Sequence, residues 1–92
     1  MILSFRCADT AALFQGRRVL RFDAIRSVAE RKLALLDAAL TLGFLRAPPG
    51  NRLEPLRGDR NGQYSIRINA RWRLCFVWTD AGPDAVEIVD YH

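Results

Sequence analysis

Two runs in the second half of the chain alternate with period two and nearly touch. Tyr64, Ile66 and Ile68 are separated by Ser65 and Arg67, and Trp72, Leu74, Phe76 and Trp78 by Arg73, Cys75 and Val77. Successive side chains of a strand point to opposite faces, so each run has one apolar and one polar side. So short a connection makes them an antiparallel pair. For the two apolar sets to share a face, Ile68 must lie opposite Trp72, Ile66 opposite Leu74 and Tyr64 opposite Phe76, joined by Asn69-Ala70-Arg71. A two-residue turn would set apolar residues against arginines. The same register puts Arg67 directly opposite Arg73 on the other face. Like charges opposed across strands are destabilising. Such a pair is either neutralised, by Glu87 or Asp90 for instance, or it holds an anion.

A further strand is expected at 85–89, after a turn at Gly82-Pro83, and a short first strand at 2–5. Between them lie helices. Asp9 is placed to cap a short one through Ala11, Leu13 and Phe14 that stops at Gly16. Asp23 opens the clearest one, with Ile25, Val28, Ala29, Leu33, Leu36 and Leu40 at spacings of three and four until Gly43. Its other face carries Arg26, Glu30, Arg31 and Asp37. A single turn around Phe44 and Leu45 then meets Ala47-Pro48-Pro49-Gly50-Asn51, where no helix continues.

With 92 residues, half of them apolar, the chain has material for one domain over 1–92 and a modest core. No apolar run approaches the ~20 residues of a membrane span. Met1-Ile2-Leu3-Ser4-Phe5 reaches Arg6 before a signal sequence develops, so a cytoplasmic location is expected. Cys7 and Cys75 form no CxxC motif and, with one histidine in the chain, no standard structural zinc site; no metal or cofactor is expected. The net charge is +4, and only Lys32 among fourteen basic residues is not arginine. Arginine's fork suits phosphate and base contacts. That bias points to a nucleic-acid partner, or only to a genome rich in arginine codons.

The chain ends on Asp90-Tyr91-His92, which joins an acid, a phenol and the sole histidine directly to the last strand. With several arginines and Glu54, this set matches what RNA cleavage through the 2′-hydroxyl requires: a base, cations for the phosphorane charge and an acid for the leaving 5′-oxygen. An unperturbed histidine titrates in the right range. The opposing reading is a histidine that is merely terminal. The turn Arg57-Gly58-Asp59-Arg60-Asn61-Gly62 adds positive charge and glycines that let backbone N–H groups approach a phosphate.

Residues 48–69 read P-P-G-N-R-L-E-P-L-R-G-D-R-N-G-Q-Y-S-I-R-I-N; Trp72-Arg73-Leu74-Cys75-Phe76 and Val86-Glu87-Ile88-Val89-Asp90-Tyr91-His92 follow. Together with the helix around 27–33, they resemble the HigB toxins of the RelE/ParE toxin-antitoxin superfamily. The resemblance implies an α+β fold, with two N-terminal helices packed on a mostly antiparallel sheet. It further implies a metal-independent endoribonuclease that cuts mRNA in the ribosomal A site and stops translation. On this resemblance Arg73 neutralises the scissile phosphate and Arg57 contacts the backbone. His92 transfers protons, Tyr91 stacks or touches phosphate, and Asp90 orients them. Glu54 stands where some relatives have histidine, which leaves open whether Glu54 or His92 is the base. Arg52, Arg60, Arg67 and Arg71 are the further RNA-contacting candidates, and Arg17, Arg18, Arg21 and Arg26 candidates for ribosomal RNA. The implied partners are a HigA-type helix-turn-helix antitoxin, through which any operator DNA would be bound, and the ribosome with its mRNA. Two other readings share the residues: a ParE-like poison of DNA gyrase, and a non-catalytic nucleic-acid-binding module.

Overall fold

A computed structural model describes residues 1–90. Three helices precede a four-stranded antiparallel sheet: α1 Ala8–Phe14, α2 Arg26–Ala38 and α3 Leu42–Arg46, then β1 Glu54–Pro55, β2 Gln63–Arg67, β3 Trp72–Thr79 and β4 Gly82–Asp90, in spatial order β1-β2-β3-β4. The α+β class and the two N-terminal helices are as expected. α3 is the single turn anticipated around Phe44 and Leu45.

The β2–β3 ladder has the register that alternation dictates: Tyr64 faces Phe76, Ile66 faces Leu74 and Arg67 faces Arg73, and Ile68 N–H donates to the Trp72 carbonyl at 3.0 Å. Asn69 fastens the connection, its Oδ1 accepting from the N–H groups of Arg71 and Trp72. The shared apolar face receives Leu13 of α1 and Ala29, Leu33 and Leu36 of α2, which pack with Ile66, Leu74, Phe76, Val86 and Ile88. Each such large side chain, once buried, contributes about 1.5–3 kcal/mol relative to exposure.

Helix boundaries differ from the expectation, each for a local reason. α1 is capped at Cys7 rather than Asp9, which lies in the first turn and takes the Arg21 guanidinium at 2.9 Å. Asp23 does not cap α2. Its carboxylate is held by Arg18 at 2.8 Å, and residues Leu20–Ile25 form a 3₁₀ segment leading into the helix. α2 ends at Ala38, before Gly43, because Thr41 starts a new helix by accepting from Phe44 N–H at 3.2 Å. Leu40, expected on the core face, is therefore 89% exposed.

The segment expected as a first strand runs parallel to the edge of β4, making one bridge, Phe5 to Val86. Leu3 N–H donates to Pro83, Val86 N–H to Ser4, and Arg6 N–H to Val86. Gly82 accommodates this segment. Its φ is 138°, and a Cβ there would lie 2.4 Å from the Met1 carbonyl oxygen. β4 begins earlier than expected and contains a bulge: Val77 pairs with Asp84, whereas Cys75 pairs with Glu87. Ala85, at φ 50°, sits in the bulge, its N–H donating to the Ser4 hydroxyl. Because side chains alternate, that extra residue decides which face every later residue of β4 occupies.

Candidate functional site

The sheet face turned away from the helices carries Ser65 and Arg67 of β2, Arg73 and Cys75 of β3, and Glu87 and Val89 of β4, with Glu54 of β1 opposite Ser65. Arg73 lies at its centre. Nε donates to Ser65 Oγ at 2.8 Å, Nη2 donates to the Arg52 carbonyl at 2.9 Å, and Nη2 lies 3.8 Å from Glu54 Oε1. The Arg73 side chain is 13% exposed and that of Glu54 57%. A guanidinium held from two directions is oriented in advance, and the neighbouring carboxylate remains reachable from solvent. Arg52 presents its carbonyl from a left-handed backbone, φ 45° and ψ 58°.

Both acids considered for the Arg67–Arg73 pair are engaged by other arginines. Glu87 binds Arg60 at 2.7 Å and lies 3.8 Å from Arg6; Arg60 also donates to Gln63. Asp90 binds Arg71 at 2.7 Å. By register Asp90 is opposite Trp72, on the helix side, whereas Arg73 is opposite Val89. Arg71 also lies over the Trp72 ring at 5.3 Å. Arg67 forms no ion pair with a described residue.

The structure thus brings Arg73, Glu54, Arg67 and the Arg52 backbone together. Arg71 and Asp90 gather at the same end of the sheet as Arg67 and Arg73. Arg60 lies over the Gln63 and Glu87 side, and Arg57 is exposed just before the turn Gly58–Arg60. Tyr91 and His92 lie outside the described residues. Of the arginines considered for ribosomal RNA, Arg18, Arg21 and Arg26 are paired with Asp23, Asp9 and Glu30. Sequence reasoning missed Ser65 and the Arg52 carbonyl. Ser65 had a signal, because it shares a face with Arg67 in the period-two pattern; a left-handed turn at an arginine had none.

The thiols differ. Burial pushes Cys75 up to about 11, against the opposing influence of Arg60 and Arg73. At Cys7 burial also acts upward, but hydrogen bonds from Thr10 and Asp9, with the charge of Arg21, hold the thiol below its ordinary value. Among the described residues no three His, Cys, Asp or Glu side chains gather as a metal site would need, and no helix is long and apolar enough to cross a membrane.

Helices on one face of a short antiparallel sheet, with arginines on the other, make the fold of the small RelE-like toxins. Among solved structures, YafQ from E. coli is similar over 98% of this chain and 91% of its own, at TM-score 0.62 and 16% identity. A YoeB/ParE toxin from Agrobacterium tumefaciens is similar over 99% and 96%, at 0.53 and 24%. The model of the HigB-like toxins, described as RelE-like toxins of type II toxin-antitoxin system HigB, matches residues 16–92, and the chain belongs to this family. Toxin HigB-1 of Vibrio cholerae is 49% identical over 58 residues, 63% of this chain and 61% of that one. Endoribonuclease HigB of Proteus vulgaris is 34% identical over 61 residues, 66% of this chain and 65% of its own. The alignments thus span under two thirds of these relatives' length.

Proposed function

We propose that the chain is the toxin of a type II toxin-antitoxin pair and acts as an endoribonuclease on mRNA in the ribosomal A site. The observation that carries this reading is Arg73, fixed by Ser65 and the Arg52 carbonyl beside Glu54 and across from Arg67. A phosphate on this face meets an oriented guanidinium with a second arginine alongside and a carboxylate at its edge. The name of the Proteus vulgaris relative supports the same chemistry.

In the reaction the 2′-oxygen loses its proton to a base and attacks the adjacent phosphorus. The P–O5′ bond breaks, and the 5′-oxygen takes a proton from an acid, giving a 2′,3′-cyclic phosphate and a 5′-hydroxyl. Arg73 and Arg67 stabilise the charge that builds on the phosphorane oxygens. Glu54 and His92 share the proton transfers, with Asp90 and Tyr91 as orienting and stacking groups. Arg52, Arg57, Arg60 and Arg71 contact the RNA backbone. The reaction as written uses no metal. The proposed partners are a HigA-type helix-turn-helix antitoxin, which carries any operator binding, and the ribosome; the proposed location is the cytoplasm. Residues 1–92 act as one toxin domain.

The test is primer extension on a defined mRNA in purified ribosome complexes, with wild type, Arg73→Ala and a His92 deletion. Cuts within the A-site codon that vanish in both variants support the proposal. No cut in any sample moves the reading to gyrase poisoning or to a binding role.

A further inference from the structure

Lys32 is the chain's one lysine and lies on α2 with 9% relative exposure. Its ammonium forms no ion pair with a described residue; instead Nζ donates to Asn51 Oδ1. Asn51 is fully buried, and its Nδ2 donates to the Leu45 carbonyl at 3.0 Å while its backbone N–H donates to Pro48 at 3.0 Å. The amide is therefore pinned at both ends, to α2 through Lys32 and to α3 through Leu45. Arg52, the next residue, takes the left-handed conformation and turns its carbonyl to Arg73 Nη2.

Burying an ammonium against a neutral amide costs more than burying a methionine of similar length. Local departures from the most stable choice concentrate where function needs them. The departure here ends one residue from the atom that holds Arg73. We propose that Lys32 is a positioning residue for Arg73, acting through Asn51 and the left-handed turn at Arg52. This rests on the nuclease reading for its catalytic consequence, but the positioning itself can be measured without catalysis.

The first readout is the Nε–H NMR signal of Arg73, identified by its loss in Arg73→Lys. In wild type this proton, bonded to Ser65, exchanges slowly. In folded Lys32→Met its exchange speeds by about tenfold or more, as expected for a hydrogen bond that opens more often. The second is kinetic. Lys32→Met lowers kcat about tenfold with KM within about twofold, the pattern of a lost transition-state interaction. Added to Ser65→Ala, which frees the same Arg73 guanidinium, it lowers kcat by less than the product of the two single losses, because both act through one group. An unchanged Arg73 signal, or additive losses in the double variant, overturns the proposal. If Lys32→Met does not fold, Asn51→Asp replaces it: the ammonium gains a carboxylate partner, but an acceptor now faces the Leu45 carbonyl and displaces the turn. An unaltered Arg73 signal there equally overturns the proposal. If wild type shows no cleavage while the signal responds, the nuclease reading falls and the positioning stands.

Discussion

Arg73 of β3 reaches diagonally to Ser65 of β2, Nε to Oγ at 2.8 Å, and the hydroxyl it meets is fully buried. Ser65→Ala removes that acceptor while changing little volume. The expected cost is about 1 kcal/mol of stability, with kcat down about tenfold and KM nearly constant. Cleavage kinetics beside urea denaturation check this; a loss confined to stability would assign Ser65 to folding alone.

Arg73→Ala and Trp72→Ala, neighbours on opposite faces, should separate activity from stability. Arg73→Ala abolishes toxicity in cells and costs only about 1–2 kcal/mol, since it removes the hydrogen bonds to Ser65 and the Arg52 carbonyl but little core. Trp72 packs edge-on against buried Phe22 at 5.6 Å, and its truncation costs about 2–4 kcal/mol. Growth assays beside thermal melts of the same proteins provide the comparison.

Gly82 and Gly16 both have positive φ but differ in surroundings. Gly82→Ala drives a Cβ into the Met1 carbonyl and should cost about 2 kcal/mol or more, loosening the N-terminal segment from β4. Gly16→Ala meets nothing within 4 Å and should cost only the backbone strain, about 1–2 kcal/mol. Melting temperatures rank the two, and the reverse order would contradict the packing of residues 1–6 on β4.

Cys75, pushed up to about 11 from an ordinary 9.0, lends the fold a pH dependence. Between these values the folded protein keeps a proton that the unfolded chain releases, so this contribution to stability is complete below pH 9 and falls as pH rises toward 11. Urea midpoints at pH 8 and pH 10 should therefore fall more in wild type than in Cys75→Ala. Alkylation followed by mass spectrometry should label Cys7 first and Cys75 only on unfolding.

Much of the sheet was legible because period two admits few solutions. Once Ile66 and Leu74 had to share a face, Arg67 had to face Arg73. The helix ends were less legible. Asp23 and Gly43 carry the right chemistry for a start and a stop, but Arg18 occupies the first and Thr41 pre-empts the second. Of the candidate site, Arg73, Arg67 and Glu54 could be named from sequence. The acids paired with the other arginines could not, because nothing local says that Glu87 will meet Arg60, 27 residues away.

The sequence by itself determined the hairpin register, the amphipathic helix and the family, because each is written in spacing between near neighbours. Tertiary structure alone decided how β4 joins them. One extra residue at the bulge, held by Ser4 from the far end of the chain, places Glu87 beside Cys75 and Asp90 beside Trp72. It also decided the surroundings of the Arg52 turn, where the neighbouring Asn51 side chain is bonded to Lys32 of α2 and to the Leu45 carbonyl of α3. Alternation fixes a strand's faces only up to a slip of one residue, and only the contacts of distant segments choose between the two.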